Sequence, residues 1–565
     1  MNDKKRPIST VHFQNLSLTW LLKAFCVTGL ISCSDSLNFK SSSTLAVSLQ
    51  DMSWHAPVYL EPQPDSSNIG AYTDKATTRG FDIASNGKQI TLGASFYDEA
   101  RRYYSGYIRK FDTNGWAPMG AGFQRVALSG TLSMGEVAVI AQTPVSATQT
   151  ASGSQSGSMM LALFAESTTA KVYTSFYNGA WQTAQLATLD VPFRFDSQLY
   201  SYFGNRISGS FDSYGRAFFI GSNDWRGASN LGYGLGHEIE AWEQVSGMIT
   251  SFTGGSSPVL SGTSSNGTAI HAAKSIFDGK RYLCFLSEAA DPYDDVIRRL
   301  NSNCLDIANT TGGTLSITPA LSVTDTTPML SVSGYNSNGM DAATNNDGVV
   351  KAVFFQSLPN ISGAPLVSRT LTDGVWSDTL SLISSITEVG FQAGRVVAAI
   401  PAAAPQIVYL GDNKYLTVWA ETNELSTPCT ARLMYSIFNP VDETWSTPKT
   451  LTADTAYINR QPFESFSLFG NGRGDAAIAV SMIATESETD RYKDVRKVLV
   501  ARYQVLEGWL PSQTFGNGCQ PADADHVAYC TRRPQGAILD SGETTVVFQD
   551  QDGSGYYRLR SVSFY

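Results

Sequence analysis

Residues 412–445 read DNKYLTVWAETNELSTPCTARLMYSIFNPVDETW, and this stretch decides the fold. Asp412-Asn413 is a residue pair that tolerates the positive φ of a hairpin turn. Tyr415–Glu421 is a short run rich in apolar, β-branched and aromatic residues, which favour a pleated strand, and it ends in a polar residue. A second run, Leu433–Phe438, leads through a polar turn to Trp445. Turn, apolar strand, second strand, turn and Trp together make one unit.

The unit recurs. A strand precedes Trp116 as Tyr107–Phe111, Trp181 as Val172–Tyr177, Trp376 as Leu366–Thr370 and Trp509 as Val498–Tyr503. Trp54 holds the same place near the start, and weaker copies run through Trp242 to Met248 and through Arg299 to Leu305. Successive copies are spaced by 57 to 71 residues. The polar turn keeps the same beat at Asn86-Gly87-Lys88, Gly157, Tyr214-Gly215-Arg216, Asp278-Gly279-Lys280, Asp347-Gly348, Gly474 and Ser541-Gly542-Glu543. Each unit offers three clear strands and a weaker one after the Trp. Four-stranded antiparallel sheets repeated around an axis describe a β-propeller. The expectation is an all-β fold, a β-propeller of seven or eight blades, filling residues 45–565. Leu45–Leu49 and Tyr557–Phe564 both read as the strand that precedes a Trp, so one of them is spare or serves as a latch. The Trp residues themselves read as anchors packed between neighbouring sheets.

Composition agrees. Hydrophobic residues at 42% and aromatics at 11% can build a large core, while charged residues at 16% argue against coiled coils and helical solenoids. The net charge of −10 counts against nucleic acid as a partner, since no basic stripe offsets phosphate repulsion.

The amino terminus reads as an export segment: Lys4, Lys5 and Arg6, then an apolar stretch over Leu18–Leu30, then Leu30-Ile31-Ser32-Cys33. That tetrapeptide resembles the lipobox of bacterial lipoproteins, although Lys23 interrupts the apolar stretch. The resemblance implies cleavage after residue 32, lipid attachment at Cys33 and, with Ser34 next, residence at the outer membrane of the cell envelope. Residues 33–44 then form a flexible Ser/Thr-rich tether. Loss of residues 1–32 removes four cationic side chains and Asp3, taking the net charge from −10 to −13.

In an oxidising compartment, Cys519 and Cys530 flank a loop that a disulfide would staple. Cys284 and Cys304 are a second candidate pair, and Cys429 is left over. The apolar strand after each turn ends at Asp98, Glu166, Asn223, Glu288, Gln356, Glu421, Ser481 or Gln549. Gathered at one mouth, these would form an oxygen-bearing ring able to hydrogen-bond a glycan or take calcium; no other cofactor is expected. His237-Glu238 lacks a second His nearby, and no nucleophile elbow or zinc-helix motif occurs. Arg473-Gly474-Asp475 occupies the position of the polar turn, and Asp550–Gly555 reads as a hairpin. Thr372-Asp373-Gly374-Val375-Trp376 departs from the sialidase Asp-box in the placing of its Gly. The leading expectation is a lipid-anchored module that binds or scaffolds a protein or glycan partner. The alternative is a glycan-active hydrolase or lyase with carboxylates at the funnel.

Overall fold

The computed structural model describes residues 52–61, 78–98, 103–118, 123–127, 134–142, 159–166, 171–188, 207–212, 217–225, 234–242, 249–251, 273–291, 294–306, 337–356, 365–385, 391–393, 404–460, 462–521 and 534–565. The export segment 1–32, Cys33, the tether to residue 44, Leu45–Leu49 and Cys530 lie outside these residues. Ser53–Tyr565 forms one compact unit. No α-helix occurs among the described residues.

Among the described residues, eight antiparallel sheets succeed one another along the chain. The innermost strands of sheets 1 to 8 are Thr78–Ser85, Met134–Ala141, Ile207–Phe211, Ala273–Phe277, Ser337–Thr344, Gln406–Gly411 (with the short Phe391–Ala393 ahead of it on the same edge), Phe463–Gly470 and Gln535–Ile538. Within each sheet the second strand pairs with the first and the third with the second. The first strands of consecutive sheets pack against one another, and that of sheet 8 touches those of sheets 7 and 1. The sheets therefore close a ring, and the fold is a β-propeller.

Sheet 8 shows how the ring shuts. Its three C-terminal strands end with Tyr557–Phe564, and the outer strand is supplied by Val58–Tyr59 from the other end of the chain. Glu61, just beyond, is buried. Its carboxylate accepts from the Leu559 N–H at 3.1 Å and from the Thr78 hydroxyl at 2.9 Å, tying sheet 8 to sheet 1.

The second strands are buried on both faces, which is why they read as near-continuous apolar runs. In sheet 6, Leu416, Val418 and Ala420 pack with Phe466, Leu468 and Ile478 of sheet 7. Tyr415 and Trp419 pack the other way, on Val353, Phe355 and Leu366 of sheet 5. Side-chain alternation along a strand produces both contacts at once.

The turns have the geometry their residues imply. Gly87, Gly279, Gly348, Gly474 and Gly542 all have φ between 87° and 106°, and Asp412 and Asn413 have φ of 50° and 58°. These turns also touch across sheets. The Gly348 N–H donates to Asp278 O at 3.0 Å, and the Asp540 N–H donates to Gly87 O at 2.8 Å. A Cβ on Gly279 would lie 2.3 Å from the backbone of Asn346. Arg473 pairs with Asp540 of the next turn at 2.6 Å, so Arg473-Gly474-Asp475 is a structural turn.

The Trp residues pack as anchors. Trp116, Trp181, Trp445, Trp509 and Trp54 lie with ring centroids 5.3 to 5.5 Å from Phe111, Tyr177, Phe438, Tyr503 and Phe564 of the neighbouring third strand. Indole N–H groups also reach the preceding sheet. Trp376 donates to the Ser302 hydroxyl and Trp445 to that of Ser368, both at 2.8 Å.

Candidate functional site

Antiparallel order puts the first turn and the Trp turn of every sheet at one end, the turn end. The hairpin between second and third strands lies at the other, the loop end. Asp98, Glu166, Asn223, Glu288, Gln356, Glu421, Ser481 and Gln549 all sit in second strands, toward or at the loop end. The side chains of Asp98, Glu166, Asn223 and Glu288 lie outside the described residues. The other four enter interfaces between sheets. Gln356, fully buried, shares the face of Phe354 against sheet 4. Glu421 shares the face of Trp419 against sheet 5. Ser481 shares the face of Ala479 against sheet 8. Gln549 reaches sheet 1, where its amide donates to Thr78 O at 2.9 Å. Ser481 and Gln549 line one small cavity between sheets 7 and 8 with Arg496 and Asp550, while Gln356 and Glu421 stand apart from it in other interfaces.

What does gather at the loop end is a series of carboxylate–arginine clusters. In sheet 6, Arg432 stands directly opposite Glu421 in the strand register. Arg432 donates to Glu421 Oε2 at 3.1 and 3.3 Å, and the Trp419 indole donates to Oε1 at 3.0 Å. Both charges are buried. In sheet 7, Arg496 grips Glu464 through two parallel bonds of 2.7 and 2.9 Å. The fully buried Asp494 accepts from Arg460 at 2.8 and 3.0 Å and from the Ser487 N–H at 2.8 Å. Glu486 caps the chain entering sheet 7, accepting N–H bonds from Ile458, Asn459 and Arg460 at 2.7 to 2.9 Å. In sheet 8, Asp550 pairs with Arg560 and accepts from the Asn517 N–H at 2.8 Å.

Burial raises two carboxyls, Asp540 at the turn end and Glu464 at the loop end. Desolvation by burial raises the Glu464 carboxyl above the ordinary range, against the opposing pull of Arg496. It stands at the start of an innermost strand, two residues from the strand's Phe466, which packs in the core between sheets 6 and 7.

The first strands are stitched by side chains reading the next backbone. Asp82 accepts the Val139 N–H at 2.7 Å, and Asp341 accepts the Ile407 N–H at 3.0 Å while pairing with Lys274. Gln406 accepts the Leu468 N–H at 2.6 Å and donates to Phe466 O at 2.8 Å.

Among the described residues no group of three or more His, Cys, Asp or Glu side chains converges as a metal site. Asp552 in the Asp550–Gly555 hairpin accepts from the Ser554 and Tyr556 N–H groups, both at 2.9 Å, as a hairpin without metal requires. Cys284 and Cys304, directly opposed in register, form a disulfide with Cα atoms 4.0 Å apart. Cys519 is also disulfide-bonded, and Cys429 is free.

The arginines of these clusters were not read from the sequence as site residues. A signal was present: in sheets 6 to 8, Arg432, Arg496, Arg558 and Arg560 each fall early in a third strand.

No protein-family model matches the chain, and no curated protein matches it in sequence. Solved structures do resemble it. An α-L-arabinofuranosidase from Fusarium graminearum aligns at 11% identity with a TM-score of 0.36, covering 66% of this chain and 95% of that one. The β-propeller domain of the Trilobed protease from Pyrococcus furiosus aligns at 9% with a TM-score of 0.35, covering 79% and 98%. A fucose-specific lectin from Aleuria aurantia aligns at 9% with a TM-score of 0.31, covering 77% and 95%. Neighbours thus include glycoside hydrolases and a lectin. Nothing about ligand or chemistry is carried across at this level of likeness.

Proposed function

We propose that the chain is a binding module of the bacterial cell envelope, held at the outer membrane by a lipid on Cys33. On this reading it presents its loop end to a protein or glycan partner. The observation that carries this reading is the pinning of loop-end carboxylates: Glu421, Asp494 and Asp550 are each held by an arginine or by backbone N–H groups. These charges are buried, so they fix the strand ends from which the loop-end segments spring, and a partner meets a frame that loses little freedom on binding. Calcium is the ion that an oxygen-lined mouth would take, and calorimetric titration with calcium tests it.

A glycan array probed with the mature chain, paired with a product assay on the same sugars, tests the function. Binding without turnover supports the module; turnover rejects it. One observation favours the enzyme as a second reading. Glu464, a half-buried carboxylate gripped by Arg496 at the top of an innermost strand, is a positioned charge of the kind a glycan-active enzyme would place at its site. If turnover is found, Glu464→Gln should reduce it at least ~100-fold. For the anchor, Cys33→Ala should abolish acylation and release the protein from membranes; unchanged retention and gel mobility would reject it.

A further inference from the structure

The cavity between sheets 7 and 8 opens at the loop end and is walled by both sheets. Ser481 and Arg496 stand on one side, Phe548 and Asp550 on the other, and Phe515 borders it from the strand Gln513–Cys519. Its interior holds about 10 Å³, room for one water-sized group. Deeper in, the same interface is an apolar cluster that includes Val500, Val546 and Val562. The polar wall is therefore confined to the mouth.

Both charges on the facing walls are buried and already matched. Arg496 is held by Glu464, and Asp550 pairs with Arg560 and accepts the Asn517 N–H at 2.8 Å. Lys497 also borders the cavity, but it lies between Arg496 and Val498 and so takes the other face of its strand. The walls thus carry no net charge to draw an ion. What they keep is hydrogen-bonding capacity. Arg496 has N–H groups beyond those that bond Glu464 and Asp494 O, Asp550 has carboxylate lone pairs, and the Ser481 hydroxyl both donates and accepts. Donor, acceptor and hydroxyl around one water-sized space match an alcohol O–H. Phe515, half-buried beside the opening, offers the apolar surface on which the C–H face of a sugar rests.

We propose that this cavity is a socket for one hydroxyl or hydroxymethyl group of a neutral glycan, with the sugar ring lying outside it against Phe515. This inference rests on the glycan form of the binding reading above and gives it a place on the molecule. A hydroxyl entering the socket takes the position of a solvent water and makes the same kinds of bond. Affinity is therefore modest, and choice of the carbon that bears the hydroxyl is the larger effect.

The test titrates the full chain with the methyl glycosides of glucose, galactose, mannose and N-acetylglucosamine, read by saturation-transfer NMR. At least one should bind. Monodeoxy analogues of that glycoside then identify the inserted hydroxyl: one analogue should bind at least about fivefold more weakly than the sugar itself. Ser481→Ala, a small change that leaves the sheet packing in place, should weaken the sugar by a similar factor. It should also erase the difference between the sugar and that one analogue, a coupling that a merely structural role of Ser481 would not produce. Ser481→Val, which fills the space, should bind none of the glycosides. The inference is overturned if no glycoside binds the parent chain, or if the analogues rank alike, by the same factors, in the parent and in Ser481→Ala. In the first case the protein-partner form of the binding reading still stands; in the second the chain binds glycans at another place.

Discussion

The two ends of the sheets are braced by different means. At the turn end, backbone meets backbone: Gly348 on Asp278 and Asp540 on Gly87, with glycines where a Cβ would collide. At the loop end, long side chains brace each sheet internally: Arg432 with Glu421 in sheet 6, and Arg496 with Glu464 and Arg460 with Asp494 in sheet 7. Backbone contacts of this kind tolerate almost no change of shape. Side-chain pairs tolerate change of shape but not loss of one charge, because the charge left behind is stranded away from water. The difference assigns rigidity to one end and electrostatic definition to the other.

The sharpest break in that contrast is Arg432→Met. It strands buried Glu421 and should cost about 3–5 kcal/mol in urea unfolding, whereas adding Glu421→Leu should recover most of the loss. If the single and double variants are equally unstable, the pair is not what defines the loop end.

Gly279→Ala probes the other end. Gly279 and Gly115 have φ of 90° and 89°, but only Gly279 has a neighbour within reach of a new Cβ. Backbone strain alone should cost Gly115→Ala about 1–2 kcal/mol. The collision with Asn346 should bring Gly279→Ala to about 3 kcal/mol or more. Equal losses would show that the turns do not brace one another.

A buried cation sits between sheets 5 and 6. Lys351 Nζ lies 3.6 Å from the Phe438 ring centroid and donates to the Thr370 hydroxyl at 2.8 Å. Burial lowers its pKa to about 8 from 10.5. Between those values the unfolded chain binds more protons than the folded one, so stability should rise with pH across that window. Lys351→Met should therefore stabilise the protein on the order of 2 kcal/mol at pH 7, with the gain fading by pH 10.5. A flat pH profile for the difference between variant and parent would refute the assignment.

The smallest expected effect compares two Trp anchors. The Trp445 indole bonds Ser368, whereas the buried Trp509 N–H has no hydrogen-bond partner. Replacement by Phe should cost about 1 kcal/mol more at Trp445 than at Trp509. No difference would leave aromatic packing as the whole of the anchor's role.

These contrasts bear on what could be read in advance. The turns were legible because a positive φ is a demand on one or two adjacent residues, and Gly, Asn and Asp meet it visibly. The Trp anchors were legible because each packs on a strand a few residues before it. The polar ends of the second strands were found in order, but the interfaces that Glu421 and Gln549 enter were not. Alternation assigns a side chain to a face and leaves open which neighbouring sheet lies there.

Chain order and local chemistry determined the sheets, their turns and their repeat, since each depends on residues within one hairpin. Two things were decided only by tertiary structure: the closing strand Val58–Tyr59 beside Arg560–Ser561, and the contacts of Glu61 and Gln549 with the neighbouring sheet. The cause is physical. Backbone dihedral preferences act between neighbours, whereas strand closure and contacts between sheets are settled by which surfaces meet once the ring has shut. Glu61 and Leu559, hydrogen-bonded to one another, stand 498 residues apart in sequence.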